Sequence, residues 1–102
     1  MKYERVDASQ MKARLADIPG WACADAGDAI SRSISFSSFA EAFGFMAECA
    51  LVAEKLNHHP DWFNSYSRVD IRLTTHAVKA LTTLDFELAS AINRIANRRV
   101  TD

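Results

Sequence analysis

The chain has few cysteines and no long apolar run, and both absences exclude classes of protein. Its two cysteines, Cys23 and Cys49, are too few for a disulfide framework. No apolar run approaches the roughly 18 residues that span a bilayer. The charged N-terminus is not followed by the apolar stretch of a secretion signal, so we expect no such signal. The default expectation is a cytoplasmic protein in a reducing environment, with a nuclear location also open.

An excess of positive charge is also missing. The formal net charge is -1 at pH 7, so nothing indicates binding to nucleic acid or to an acidic membrane. No glycine-rich loop that could cradle a phosphate group is present. Apolar residues make up 49% and charged residues 25% of the 102 residues, a balance typical of globular proteins. The length and the absence of a linker or repeat predict a single domain over residues 1–102.

The apolar spacing predicts three helices. Ser9 is a candidate N-cap for a first helix of about two turns, which Pro19-Gly20 would end. A long helix over about 39–56 follows the break at Ser37-Ser38. The last helix begins near Thr82-Thr83-Leu84-Asp85, which has the Thr-x-x-acid pattern of a capping box.

The long helix carries two apolar stripes. The first consists of Phe39, Ala42, Phe43, Met46, Ala50 and Ala53. The second consists of Phe45, Cys49, Val52 and Leu56, about 100° around the helix by the 3.6-residue period. A helix that is apolar over so wide an arc contacts two bodies, of which one is the sheet. The other is a neighbouring helix or another subunit, and Phe45 and Val52 are candidate interface residues in the second case.

Alternation of apolar and polar residues predicts the strands. Residues 30–36 and the stretch from Tyr66 to Thr74 each have one apolar and one polar face. An irregular strand opened by Trp21 and a short strand at residues 62–64 are expected beside them. Strands with one polar face favour an antiparallel sheet with all helices on one side. Arg32 interrupts one apolar face, so we expect that face to be open at this point.

The only three histidines of the chain, His58, His59 and His76, fall at the ends of predicted elements. Histidine exchanges protons near neutral pH, so their placement indicates a proton-transfer site. Two alternatives stay open. The histidines could be satisfied structural residues, or they could hold zinc with one open position. Adjacent side chains on an extended segment point apart, and no HExxH or His-x-His pattern is present, which disfavours the metal site.

Carboxylates and aromatic residues near the histidines favour acid-base catalysis without a cofactor. Glu54 lies one helical turn before His58, and Asp61 and Asp85 are further carboxylates that could orient an imidazole. No Ser-His-Asp or Cys-His pairing is evident, so covalent catalysis is not indicated. Aromatic side chains that could line a flat substrate are supplied by Trp62, Phe63 and Tyr66.

A set of short motifs surrounds the histidines: Glu54-Lys55-Leu56-Asn57-His58-His59-Pro60, Tyr66, Leu73-Thr74-Thr75-His76, Leu81-Thr82 and Asp85, with Gly20-Trp21 and Phe39 to Met46 upstream. Together these residues closely resemble the signature of the pterin-4a-carbinolamine dehydratases. The resemblance covers about Leu15 to Ile92. It implies an α+β fold, in which a four-stranded antiparallel sheet has three helices packed on one face in the order α-β-β-α-β-β-α.

The resemblance also implies an activity. Members of this family remove water from 4a-hydroxytetrahydropterin to give quinonoid dihydropterin, which recycles the pterin used by aromatic amino-acid hydroxylases. They need no metal or organic cofactor and form dimers or tetramers. Animal members also bind a homeodomain transcription factor as a dimerisation partner. The alternative to an enzyme is therefore a regulatory module that keeps the fold and has lost catalysis.

By the same resemblance, His58 and His76 transfer protons, and His59 mainly holds the pterin. Glu54 and Asp85 orient or tune the imidazoles. The residues expected to line the pterin site, besides the three histidines, are Asn57, Pro60, Thr74, Thr75 and Ala77.

One stretch departs from the family pattern. The family usually has an acidic or polar residue after the third histidine and then a glycine-bearing turn, whereas this chain reads Ala77-Val78-Lys79-Ala80. Loss of the glycine removes easy access to a positive φ. We therefore expect this loop to take another path, while the proton-transferring residues are all present.

Overall fold

The computed structural model describes residues 3–99, and the chain forms seven elements in the predicted order. The helices are α1 (Ala8–Ala16), α2 (Phe39–Leu56) and α3 (Thr83–Asn97). The strands are β1 (Ala22–Cys23), β2 (Ile30–Ser35), β3 (Asp61–Ser65) and β4 (Arg68–Leu73). The predicted α+β fold is confirmed. Within residues 3–99, none of the helices combines the length and the apolar character that a bilayer crossing requires.

The four strands form one antiparallel sheet in the order β1-β2-β4-β3. In its centre Ile30 lies opposite Leu73, and Ile34 lies opposite Val69. Residues directly opposite each other share a face, so the apolar positions of β2 and β4 meet on the buried side. The alternate positions of these strands carry serine and charged side chains on the other face.

The α1 N-cap is Asp7, so the prediction that Ser9 caps this helix is wrong. The Asp7 carboxylate accepts a hydrogen bond from the Gln10 backbone N–H, and the Gln10 side chain accepts one from the Asp7 N–H. This reciprocal arrangement is a capping box. The predicted cap of α3 is confirmed, because Thr82 accepts from the Leu84 N–H and Asp85 accepts from the Thr82 N–H.

The buried face of α2 takes residues from both predicted stripes. The fully buried positions are Ala42, Phe45, Cys49 and Ala53. Burial raises the pKa of the Cys49 thiol to about 12. Phe45 has no exposed surface within one protomer, so of the two alternatives for its stripe it packs inside the protomer and not at a subunit interface. The large apolar side chains that α2 exposes are Phe39, Phe43 and Leu51.

Arg32 lies among the apolar residues on the helix-facing side of β2, where it is partly buried. Its guanidinium donates to the Asn93 side-chain oxygen, which also accepts from the Trp21 indole N–H. Burial lowers the pKa of Arg32. Gly20 leaves space for this side chain, because a Cβ there would lie 2.8 Å from Arg32 Nε, and the φ of Gly20 is +91°.

The last strand is shorter at its start than predicted. Tyr66 has a φ of +53° and lies in the turn between β3 and β4. The Asn64 amide nitrogen donates to the backbone oxygens of Tyr66 and Arg68, at 3.1 and 2.9 Å, and closes this turn. A left-handed residue cannot continue a strand, so β4 begins at Arg68.

The position of Phe45 in the core gives a stability prediction. Replacing Phe45 with Ala removes a fully buried ring that packs on Phe36 with ring centroids 4.8 Å apart. We expect the free energy of unfolding to fall by about 3–5 kcal/mol, measured by urea denaturation. Phe63→Ala is the control, because Phe63 is exposed on β3, and should cost less than about 1 kcal/mol. Equal losses for the two variants would contradict the assigned burial.

Candidate active site

The C-terminus of α2 directs the two adjacent histidines out of the helix. Asn57 adopts a left-handed conformation with a φ of +51°, and its N–H donates to the backbone oxygens of Ala53 and Glu54. The His58 N–H donates to the Ala53 oxygen at 3.0 Å. Asparagine tolerates the left-handed region better than most residues, so it is suited to this cap. Pro60 then keeps His59 out of helical conformation and leads into β3.

His58 is buried and paired with Asp85. Its Nε2 lies 2.5 Å from Asp85 Oδ1, and the two residues are 7% and 0% exposed. The second carboxylate oxygen of Asp85 accepts from the Thr75 hydroxyl at 2.8 Å and from the Thr82 N–H at 2.9 Å. One carboxylate therefore caps α3, holds the segment after β4 and fixes the ring of His58.

His59 and His76 are exposed, and each pairs with a different carboxylate. His59 Nε2 lies 2.6 Å from Glu54 Oε1, and His76 Nε2 lies 3.0 Å from Asp61 Oδ2. The side chains of His59 and His76 are 53% and 68% exposed. Solvent and a small molecule can therefore reach both rings. Glu54 lies one helical turn before His58 in the sequence, but in the structure it pairs with His59 instead.

The three segments that carry histidines are tied together by these contacts. Thr75, which binds Asp85 opposite His58, directly precedes His76. Asp61, which binds His76, directly follows the His59-Pro60 pair. The end of α2, the start of β3 and the loop after β4 therefore meet at one end of the sheet. Five carboxylate or hydroxyl side chains that support the histidines come from elements separated in sequence: Glu54, Asp61, Thr75, Thr82 and Asp85.

The other residues predicted to line the site differ in how far they are buried. Thr74 is buried, and its hydroxyl donates to the Asp28 backbone oxygen at 2.6 Å, so this hydroxyl is already engaged. Asn57 and Ala77 are exposed, and Pro60 is partly buried. In the part of the chain that the structure describes, neither the Asn57 nor the Thr74 side chain forms a hydrogen bond with a histidine.

The loop that lacks the family's glycine still contains a left-handed residue. Lys79 has a φ of +50°, and the loop is closed by the Thr75 N–H, which donates to the Ala80 oxygen at 3.1 Å. A non-glycine residue in this region costs roughly 1–2 kcal/mol. The loop therefore reaches a positive φ at a lysine, without glycine.

No three histidine, cysteine, aspartate or glutamate side chains converge as metal ligands would, within residues 3–99. Each histidine instead binds a carboxylate that the other two do not share. A cleft of about 550 Å³ lies elsewhere, between α1, α2 and α3, and none of the predicted site residues lines it. The arrangement of the histidines is chemically suited to proton transfer at an open rim of the molecule.

Comparison with known proteins decides the family. The profile described as pterin 4 alpha carbinolamine dehydratase matches residues 4–95. The chain belongs to this family. A protein of Rhizobium johnstonii, which carries a provisional name as a pterin-4-alpha-carbinolamine dehydratase, is 54% identical over 100 residues, covering 98% of this chain and 99% of the relative.

Two solved structures support the assignment at different levels. A crystal structure of a transcriptional coactivator/pterin dehydratase from Brucella melitensis is 48% identical and matches with a TM-score of 0.87, covering 91% of this chain and 99% of that one. A pterin dehydratase-like protein described as a RuBisCO assembly factor in the α-carboxysome matches with a TM-score of 0.66. It is only 17% identical, over 78% of this chain and 93% of that one, so it shows the shared fold alone.

The buried Asp85 carboxylate gives a second stability prediction. In Asp85→Asn, an amide nitrogen replaces one of the oxygens that now face His58, Thr75 and the Thr82 N–H. A buried donor then faces another donor, so we expect a loss of about 2–4 kcal/mol in the free energy of unfolding. Glu54→Gln is the matched control, since Glu54 also pairs with a histidine but is exposed. It should change stability by about 0.5 kcal/mol or less. Similar losses in urea denaturation would show that burial does not distinguish the two pairs.

Proposed function

We propose that this chain is a hydro-lyase that converts 4a-hydroxytetrahydropterin to quinonoid dihydropterin by histidine acid-base catalysis. The observation that carries the proposal is the set of three imidazoles, each held by its own carboxylate on segments that meet at one end of the sheet. Membership of the pterin 4 alpha carbinolamine dehydratase family supports the substrate class. The two lines of support are independent, because the first is geometric and the second rests on sequence similarity.

The chemistry requires one proton to be delivered and one to be removed. The 4a-hydroxyl is a poor leaving group until it is protonated, and it then departs as water. N5 gives up its proton as the C=N bond forms, so the substrate loses one molecule of water and nothing is oxidised or reduced. A general acid and a general base meet both requirements, and each typically contributes about 10²–10⁴-fold to the rate. In this scheme the reaction needs no cofactor.

The three histidines divide these tasks in the proposal. His58 and His76 transfer the protons, and His59 mainly holds the pterin. The pairing of His58 with buried Asp85 supports a fixed ring orientation, while the exposure of His76 supports direct access to substrate. Glu54 keeps the ring of His59 in place beside them. An imidazole that is oriented in advance loses less entropy when the substrate binds.

The remaining site residues supply the lining in this proposal: Asn57, Pro60, Thr74, Thr75 and Ala77. Because the hydroxyls of Thr74 and Thr75 are engaged within the protein, these residues would contact the pterin through their backbone groups. Backbone N–H and C=O groups can match the donors and acceptors along the edge of a pterin ring. The physiological role that fits this chemistry is recycling of the pterin used by aromatic amino-acid hydroxylases.

The proposed activity is tested with freshly made 4a-hydroxytetrahydropterin, by following the quinonoid product optically. We expect the protein to accelerate dehydration, and His58→Ala and His76→Ala each to lower kcat by about 10²–10⁴-fold, the usual contribution of an acid or base. Arg68→Gln on the polar sheet face is the control and should leave kcat unchanged. A rate no faster than buffer alone at several pH values would falsify the proposed reaction.

A second candidate function is a regulatory or dimerisation module without catalysis. It is favoured by the Brucella melitensis relative, which is described as a transcriptional coactivator as well as a pterin dehydratase. A purely regulatory protein would keep its cellular effect in His58→Ala and His76→Ala.

The exposed apolar side chains Phe39, Phe43 and Leu51 on α2 suit a protein partner or a second copy of the chain. We propose a homodimer or homotetramer assembled through this surface.

The assembly is tested by light scattering. Phe43→Glu places a charge among the exposed apolar side chains of α2, so we expect the mass in solution to fall to that of a smaller species. Tyr66→Glu is the control, because Tyr66 is equally aromatic and exposed but lies in the β3–β4 turn. An unchanged mass for Phe43→Glu would show that this surface is not the interface.

A further inference from the structure

Asp61, the carboxylate that pairs with His76, also contacts the neighbouring strand. It is the first residue of β3 and lies directly opposite Arg72 of β4. Its Oδ2 lies 3.0 Å from His76 Nε2 and 3.6 Å from the Arg72 guanidinium. One carboxylate oxygen is therefore held between a cation on the neighbouring strand and an imidazole on the loop that follows that strand. The side chain of Asp61 is half exposed, and the positive charge of Arg72 favours the position of its carboxylate beside His76.

The atom through which the imidazole is bound determines which nitrogen is left for substrate. A neutral imidazole has one N–H donor and one acceptor nitrogen. A carboxylate without a proton can only accept, so the His76 nitrogen that faces Asp61 carries the hydrogen. Nε2 is therefore the donor and Nδ1 the acceptor. His58 and His59 are also bound to their carboxylates through Nε2, so the same rule applies to all three rings.

We infer that Asp61 is a positioning residue for His76, and that Arg72 in turn holds Asp61. In this arrangement Asp61 fixes the ring orientation and the tautomer of His76, so that Nδ1 is the atom that accepts or returns the substrate proton. The link to catalysis rests on the proposed function, whereas the effect on the ring of His76 does not. Asp61 also follows Pro60 directly, so it joins the segment of His59 to the loop of His76.

The three carboxylates differ in what holds them. Asp85 is fixed by two donors besides His58 and also caps α3, so changes there alter the fold. Glu54 has its contact with His59 and is 77% exposed. Asp61 lies between these cases, because its second contact comes from a cross-strand arginine at the surface. A change at Asp61 therefore alters the ring of His76 with little effect on folding.

The first measurement is the ¹⁵N NMR spectrum of the imidazoles in mildly alkaline buffer, with His76 assigned by comparison with His76→Gln. In the unmodified protein we expect a protonated Nε2 and an unprotonated Nδ1. In Asp61→Asn the amide can present either its oxygen or its nitrogen to the ring, so the two tautomers of His76 should become mixed. Asp61→Glu should restore the bias. An unchanged His76 spectrum in Asp61→Asn would overturn the positioning role.

The matched control is Asp70→Asn. Asp70 is a carboxylate on the same polar sheet face, 3.3 Å from Arg68 and 2.7 Å from the Ser33 hydroxyl, and its contacts do not include a histidine. It should leave the His76 spectrum unchanged. Arg72→Gln removes the cation beside Asp61 and should give an intermediate degree of tautomer mixing. If Asp70→Asn mixed the His76 tautomers as much as Asp61→Asn does, the loss of any negative charge on this sheet face would be enough to produce the effect. That result would also overturn the inference.

The second measurement is kinetic and separates this inference from the proposed function. In the dehydration assay we expect Asp61→Asn to lower kcat about tenfold or more, with KM changed by less than about twofold, because a positioning residue acts on the proton transfer rather than on binding. An unchanged kcat together with a mixed tautomer would refute the catalytic part of the inference. If the unmodified protein shows no dehydration, the proposed function fails, and the NMR result alone then decides whether Asp61 positions His76.

Discussion

The Asp85 carboxylate is the contact on which the rest of the site depends. It lies at the third position of α3, where it accepts from the backbone N–H of the N-cap Thr82. It also accepts from Thr75 and binds His58. A buried carboxylate is unfavourable unless hydrogen bonds replace its lost hydration. Here those bonds come from three separate parts of the chain, so the same interactions that make Asp85 tolerable also hold α3, the loop after β4 and the end of α2 together.

Around this buried centre the site is built at the surface. The pairs of His59 with Glu54 and of His76 with Asp61 are exposed, and ion pairs in solvent contribute little to stability. Their value is in orientation, because a carboxylate that accepts from one imidazole nitrogen leaves the other nitrogen in a known state. The buried pair of His58 and Asp85 joins the elements of the site, and in the proposed reaction His58 shares the proton transfers with the exposed His76 while His59 holds the pterin. This division is consistent with a dehydration that exchanges protons at the rim of the protein.

Much of the fold follows from local patterns in the sequence. The alternation in residues 30–36 gave β2, and the Thr-x-x-acid pattern at Thr82 gave the start of α3. Where sequence reasoning failed, another local preference was decisive. Asp7 with Gln10 made a better capping box than Ser9, and the left-handed turn at Tyr66 shortened β4. In the loop after His76, which lacks the family's glycine, a lysine adopts the positive φ.

The sequence by itself determined the order of elements and the interruption of an apolar strand face by Arg32, and it singled out the three histidines as candidates for proton transfer, because periodicity, capping and residue type are local properties. Only the tertiary structure decided which carboxylate binds which imidazole. Asp85 is 27 residues from His58, and Asp61 is 15 residues from His76, so these pairs depend on strand register and on the packing of α3. The same holds for α2, whose apolar residues extend around a wide arc. Packing against the sheet and α3 buried Phe45 and left Phe43 exposed, which no pattern within the helix could specify.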